Sequence, residues 1–202
     1  MAVARIGLFG GSFDPVHLAH LALARCAVDQ LKLDQLLWVP AGNPWQKPGV
    51  TEAAHRLAMV RLMAEGDPSY AVDERELKRE GASYTVDTVE ELLAAHPGAE
   101  LFLVIGQDQY ARLPSWHRWQ DLLPRVTLAV AARADEEVHA AAEVAAVSGK
   151  VQRLAMPAMH VSSTEVREKV SRGEDIRPLV GDAVAQYISR HRLYNKVMNG
   201  HS

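Results

Sequence analysis

Gly10-Gly11-Ser12-Phe13-Asp14-Pro15-Val16-His17-Leu18-Ala19-His20 is the stretch that decides the fold. It follows a short apolar run, Ile6–Phe9, and opens an apolar-periodic segment, Leu18–Leu33. Two glycines, a hydroxyl and two histidines therefore stand where a strand hands over to a helix. A helix start carries unpaired N–H groups and the positive end of the helix dipole, an arrangement suited to a phosphate. Gly10 and Gly11 allow a ligand to approach the backbone closely, Ser12 offers a hydroxyl, and Pro15 fixes the chain before the helix. His17 and His20, three apart, would share one helix face directed at the loop's ligand. Taken alone, a His-x-x-His pair also fits core or surface histidines. It fits a zinc pair less well, because the familiar helical zinc pair has four-residue spacing and needs a third ligand.

Outward from this loop, apolar runs alternate with helical patterns. Strands are expected at Ile6–Phe9, Leu36–Val39, Tyr70–Val72, Leu101–Ile105, Val126–Ala131 and Val151–Leu154. Helices are expected at Leu18–Leu31, Glu52–Glu65, Val86–His96, Glu136–Val147, Thr164–Arg172 and Asp182–His191. Continuously apolar strands between helices read as buried parallel strands. The expectation is an α/β fold: a doubly wound, Rossmann-like parallel sheet with helices on both faces and C-terminal helices, forming one domain over residues 1–202. Ala41–Gly49, Asp73–Gly81, Asp108–Trp119 and Gly173–Pro178 read as irregular segments. Thr51 stands before one helix, Ser162 has capping-box spacing to Glu165, and Pro97-Gly98 stops a third.

Composition bounds the function. Apolar residues make up 48% and charged residues 23%, ordinary for a soluble globular chain, and the net charge of −3 provides no basic field for nucleic acid or an anionic membrane. The single cysteine, Cys26, excludes an internal disulfide and a four-cysteine zinc site. No apolar stretch approaches the ~20 residues that span a bilayer, and Arg5 and Gly10 interrupt the N-terminal run, so no signal peptide and a cytoplasmic location are expected. A P-loop is excluded because no Gly-x-x-x-x-Gly-Lys-Ser/Thr run exists. Gly7-x-x-Gly10-Gly11 does not match the dinucleotide fingerprint either.

A second anion-binding candidate is Ser162-Ser163-Thr164, which combines hydroxyls and N–H groups at a helix start, with Arg167 about one turn further on. The segment also reads as an ordinary capped helix with an exposed arginine. Gly106 and Asp108 follow the strand Leu101–Ile105, and ligands of parallel sheets bind beyond the carboxyl ends of strands. Asp108 could accept from a ribose hydroxyl or cap the helix. Arg133 follows the next strand, and Lys47 is a further phosphate contact from the Ala41–Gly49 loop. Trp116 and Trp45 are flat partners for a heterocycle, or core-packing residues.

In sum these residues resemble the nucleotidylyltransferase superfamily, whose motif is His-x-Gly-His or Thr-x-Gly-His, and within it the bacterial nicotinate-nucleotide adenylyltransferases. The resemblance rests on Gly-Gly-Ser-Phe-Asp-Pro-Val-His-x-x-His, Ser83-Tyr84-Thr85-Val86-Asp87-Thr88, Gly106-Gln107-Asp108 with Trp116-His117, Ser162-Ser163-Thr164-Glu165-Val166-Arg167, and Tyr187-Ile188 followed by His191 and Leu193-Tyr194. The order and spacing of these motifs span nearly the whole chain. Ala19 stands where the family usually has glycine, and Asn43-Pro44-Trp45-Gln46-Lys47 stands where it often has Pro-Pro-His-Lys.

The resemblance implies adenylyl transfer from ATP to nicotinate mononucleotide, with pyrophosphate released. It implies His17 and His20 as catalytic residues. The ATP and phosphate contacts would come from Gly10, Gly11, Ser12, Phe13, Lys47, Gly106, Asp108, Arg133, Ser162, Ser163, Thr164 and Arg167. The mononucleotide would be held by Ser83, Tyr84, Thr85, Trp116, His117 and Trp45. Magnesium would arrive with ATP, without a protein cage of metal ligands; Asp14 would hydrogen-bond the loop or reach the metal's water shell. Partners would be the two small molecules, with no nucleic acid and no membrane, and a homo-oligomer left open. The alternatives are another adenylyltransferase, such as the phosphopantetheine enzyme, and a non-catalytic nucleotide-binding regulator.

Overall fold

The protein is described here by a computed structural model covering residues 3–43, 49–133, 137–147 and 149–195. The strands are β1 Arg5–Gly11, β2 Gln35–Pro40, β3 Tyr70–Val72, β4 Glu100–Gly106, β5 Thr127–Arg133 and β6 Lys150–Met156. The helices are α1 Leu18–Leu31, α2 Ala53–Ala64, α3 Arg75–Lys78, α4 Thr85–Ala95, α5 Gln107–Ala111, α6 Trp119–Leu122, α7 Ala142–Ala145, α8 Ser163–Ser171, α9 Arg177–Val180 and α10 Asp182–Arg190. All six strands pair in parallel, in the order β3-β2-β1-β4-β5-β6. This is the doubly wound order expected from the alternating pattern. The chain reverses its winding direction between β1 and β4, so a crevice opens beyond the carboxyl ends of those two neighbours.

Alternation along each strand divides the core in two. Phe9, Trp38, Phe102, Val104 and Ala129 face α1, α2, α8 and α10, whereas Leu8, Leu37, Leu103, Ile105 and Val130 face α4, α5 and α6. Both faces are covered along the central strands, which explains why β1, β2, β4 and β5 read as apolar runs; the edge strand β6 carries Lys150, Gln152 and Arg153 and is mostly exposed. Gly7 makes one of these contacts possible: a Cβ there would meet Leu36 Cδ1 at 2.5 Å and Leu33 Cδ1 at 2.6 Å.

Several expectations need correction. Thr51 does not cap α2; Glu52 occupies that position, and the Thr51 N–H donates instead to Asp14 Oδ2 at 3.1 Å. The segment Glu136–Val147 is helical only at Ala142–Ala145, and Val144 is its one buried residue. An alanine-rich stretch has helix propensity but little apolar surface to bury, and packing supplies most of a helix's stability. Glu136 itself lies outside the described residues. Asp73–Gly81 and Asp108–Trp119 are not wholly irregular. They hold α3, α5, a 3₁₀ turn at Leu113–Ser115 and the start of α6. At Ser162 the expectation holds: its side chain caps α8, accepting from the Glu165 N–H at 3.1 Å.

Candidate active site

The loop between β1 and α1 sits at the crevice. Phe13 takes a left-handed backbone (φ 49°), unusual for a residue with a side chain, and its ring is 2% exposed. That ring packs edge-on against Phe9 and His20, at 5.5 and 5.1 Å between centroids. Gly11 makes room for it, since a Cβ at Gly11 would lie 3.0 Å from the Phe13 ring. Gly10 has a different reason to be glycine. A Cβ there would meet only the Val39 carbonyl, at 3.9 Å, so its bare face is turned to the cleft.

His17 is not in the first turn of α1 but caps it, in an extended conformation (φ −147°, ψ 171°). The two imidazoles stack, with centroids 3.7 Å apart and planes 26° from parallel. The His17 N–H donates to His20 Nδ1 at 3.1 Å. An Nδ1 that accepts carries no proton, so this bond selects the neutral tautomer of His20 with hydrogen on Nε2. The His17 ring is buried and its Nδ1 has no hydrogen-bond partner among the described residues. Burial pushes its pKa down to about 4. The pair therefore offers neutral N–H donors at neutral pH rather than two cations.

Two clefts meet at this pair. The larger, about 670 Å³, is lined by Gly10, Gly11, Ser12, Phe13, His17, His20, Gly106, Asp108, Ser83, Tyr84, Thr85, Trp116, His117 and Ser163, with Ala19 beside them. The smaller, about 600 Å³, shares Ser12, His17, His20 and Ser163, and adds Ser162, Thr164, Arg167, Asp14, Thr51 and Tyr194. The fold thus brings four of the sequence motifs, and Tyr194 of the fifth, around two clefts that share their lining. Lys47 and Trp45 lie outside the described residues. Arg133 ends β5, and its side chain likewise lies outside the description.

Each group has its own support. Ser83 Oγ accepts from the N–H groups of Gly42 and Asn43 at 3.0 and 3.2 Å, joining the start of α4 to the loop after β2. Tyr84 stacks on His117, with centroids 4.1 Å apart. Trp116 is half-buried against the core beneath α4 and still lines the cleft. Gly106, not Asp108, is the N-cap of α5. Asp108 is exposed in the first turn, facing the cleft, so the capping alternative falls away. A Cβ on Gly106 would meet no atom within 4 Å. At α8, Ser163 Oγ donates to the Pro15 carbonyl at 2.9 Å, and Arg167 Nη1 donates to the Asp14 carbonyl at 2.7 Å. The α8 start is thus fastened to the histidine loop.

Two buried charged residues escaped sequence reading because Arg56 sits in a helical pattern and Glu76 in an irregular charged stretch, both of which read as solvated. Arg56, 1% exposed on α2, donates to the carbonyls of Thr51, Ser12 and Gly42. It clamps the loops after β1 and β2. Burial lowers its pKa, with the nearby Asp14 opposing the shift. Glu76 on α3 is 8% exposed, lines the larger cleft and accepts from Thr88 Oγ1 at 2.6 Å. Burial raises its pKa, against the hydrogen bond from Thr88. Among the described residues, no group of three or more His, Cys, Asp or Glu side chains could hold a metal, and no helix is long and apolar enough to cross a membrane.

Comparison with known proteins agrees with this geometry. Residues 8–169 match the cytidylyltransferase-like family model. A probable nicotinate-nucleotide adenylyltransferase of Methylibium petroleiphilum is 50% identical over 195 residues, covering 94% of this chain and 92% of the relative. One from Bordetella pertussis is 42% identical over 199 residues, covering 96% of this chain and all of the relative. In fold, the chain resembles the Plasmodium falciparum nicotinic acid mononucleotide adenylyltransferase solved with NaAD. The TM-score is 0.75 at 19% identity, over 95% of this chain and 97% of that one. The chain belongs to the cytidylyltransferase-like family and, within it, to the nicotinate-nucleotide adenylyltransferases.

Proposed function

We propose that the protein transfers the adenylyl group of ATP to nicotinate mononucleotide, giving nicotinate adenine dinucleotide and pyrophosphate. The observation that carries this reading is the junction of two clefts at the stacked pair His17 and His20. One cleft supplies aromatic and backbone groups for a base, and the other supplies hydroxyls and an arginine for phosphates. In the reaction, a 5′-phosphate oxygen of the mononucleotide bonds to the α-phosphorus of ATP. The bond from that phosphorus to the bridging oxygen breaks, and pyrophosphate leaves with the electron pair.

The nucleophile is already an anion at neutral pH, so no side-chain base and no covalent adenylyl-enzyme are required. Catalysis then consists of aligning the reactants and stabilising charge on the α-phosphate and the leaving group. His17 and His20 donate N–H bonds to the reacting phosphates. The backbone of Gly10 and Gly11, with Ser12 and Phe13, shapes the approach. Ser162, Ser163, Thr164 and Arg167 hold the leaving pyrophosphate, with Lys47 and Arg133 as further cations. Asp108 and Gly106 serve the nucleoside. Ser83, Tyr84, Thr85, Trp116 and His117, with Trp45, hold the mononucleotide. The nicotinate carboxylate is taken by backbone N–H groups near Thr85 and Trp116. Magnesium bound to the ATP phosphates would neutralise part of their charge. The donor set fits a substrate-borne ion: Asp14, the carboxylate of the first loop, is committed to Thr51 and Tyr194 rather than turned to a metal's water shell.

The test is turnover with ATP and magnesium against three acceptors: nicotinate mononucleotide, nicotinamide mononucleotide and phosphopantetheine. Pyrophosphate release fastest with nicotinate mononucleotide is expected. Release with phosphopantetheine alone would move the assignment, and release with none would leave a nucleotide-binding regulator.

A further inference from the structure

Tyr194 belongs to a C-terminal motif to which the proposed reaction assigns no part. It follows α10, and the turn after that helix is held by unusual backbone: both Arg192 (φ 53°) and Tyr194 (φ 63°) are left-handed. Residues with side chains adopt that region only where surrounding contacts enforce it. Here the contacts are visible. His55 on α2 hydrogen-bonds the Tyr187 hydroxyl through Nδ1 at 2.9 Å, and the His191 ring packs on Tyr187 with centroids 4.2 Å apart and planes tilted by 35°. The tail thus anchored carries Tyr194 into the smaller cleft. Its hydroxyl donates to Asp14 Oδ1 at 2.6 Å, joining positions 180 residues apart, and the Thr51 side chain hydrogen-bonds the same phenol.

Asp14 is 7% exposed and sits near two cations. The charge of Arg56 is close enough to interact with it, and Arg167 donates to its backbone carbonyl at 2.7 Å. A buried carboxylate beside a guanidinium ordinarily takes it in a bidentate pair. Here each carboxylate oxygen instead accepts one hydrogen bond, Oδ1 from Tyr194 and Oδ2 from the Thr51 N–H, and forms no ion pair with either arginine. Arg167 commits two N–H groups, to the Asp14 carbonyl and to Thr164 Oγ1 at 3.3 Å. The rest of its five donors remain for a phosphate.

We propose that Tyr194 is a positioning residue of the phosphate cleft: by occupying the Asp14 carboxylate it keeps that anion from capturing Arg167, so the guanidinium stays available to the pyrophosphate group. This deepens the reading of adenylyl transfer and rests on it. Tyr194→Phe removes the hydroxyl and frees Oδ1 in the cleft that Arg167 also lines. We expect about a tenfold weaker pyrophosphate affinity by calorimetry and a similar fall in kcat/KM, the scale of one hydrogen bond to a charged group.

The distinguishing variant is Asp14→Asn, which keeps the shape and removes the competing charge. In the Tyr194→Phe background it should restore pyrophosphate affinity to within about threefold of the unmodified protein, because a neutral amide holds a guanidinium far less tightly than a carboxylate does. A merely structural tyrosine predicts the opposite, with the double variant as weak as the single or weaker. That result, or an unchanged affinity in Tyr194→Phe, overturns the proposal. Should Tyr194→Phe fail to fold, the double variant is compared with Asp14→Asn: equal affinity within about threefold supports the proposal, and a tenfold weaker double variant overturns it. If the unmodified protein turns over no nicotinate mononucleotide, adenylyl transfer fails as a reading. If it does and the variants do not follow this pattern, only the role of Tyr194 fails.

Discussion

Replacing His17 with glutamine should make the protein markedly more tolerant of acid. The argument follows from where the ring sits. In the unfolded chain His17 takes up a proton as the pH falls through its ordinary value of 6.5, whereas in the folded protein burial delays this until about 4. Between those values the unfolded state binds more protons than the folded one, so stability falls as the pH falls. Above 6.5 both states are neutral at this ring and the effect vanishes; below about 4 it is complete. At about 1.4 kcal/mol for each unit of pKa difference, lowering the pH from 7 to 4.5 removes about 2 kcal/mol through this residue alone. In a chain of this length that equals about 4–8 °C in Tm. Glutamine approximates the ring's volume and does not titrate. The measurement is urea unfolding of both proteins at the two pH values. Other groups titrate in both, so the quantity of interest is the difference between the two losses. The unmodified protein should lose about 2 kcal/mol more than the variant. Equal losses would mean that the ring is solvated or paired in the folded state, and would refute its assignment as a buried neutral donor.

Three further outcomes follow from the geometry. His20→Ala should lower kcat by about two to three orders of magnitude, typical of a donor felt mainly in the transition state, while the Kd of ATP changes far less; steady-state rates and equilibrium binding together check this, and an unchanged kcat would remove the role. Trp116→Ala should raise KM for nicotinate mononucleotide and spare KM for ATP, with the reverse pattern meaning that the two half-sites are exchanged. Arg56→Met leaves the carbonyls of Thr51, Ser12 and Gly42 without their buried donor; a stability loss of about 3 kcal/mol or more by chemical denaturation is expected, and less than 1 kcal/mol would contradict the clamp.

The sheet was legible because its information is local. Most strands are short apolar runs between turn signals, and α1 was readable residue for residue at Leu18–Leu31. Four-residue and five-residue helices such as α3, α5 and α9 are too short to show a helical period. The motifs of the candidate site were legible for another reason: catalytic chemistry concentrates unusual residues at short spacing, as in Gly10–His20. What holds those motifs in register was not. The Tyr194–Asp14 bond spans 180 residues. Arg56 and Glu76 look like surface charges until the loops they fasten are folded against them. The pairing of His20 Nδ1 with the His17 amide was equally hidden, because it depends on His17 capping the helix instead of entering it.

The central claim is a direct, in-line attack of one phosphate on another, assisted by neutral histidine donors and by no enzyme-bound intermediate. The measurement that reaches it most directly is the stereochemical course at the α-phosphorus. A single diastereomer of ATP carrying sulfur on the α-phosphate is converted with nicotinate mononucleotide, and the configuration of the dinucleotide product is determined by ³¹P NMR. One displacement inverts the phosphorus, and inversion is the predicted result. Retention would mean two displacements through a covalent adenylyl-enzyme, and would contradict the account.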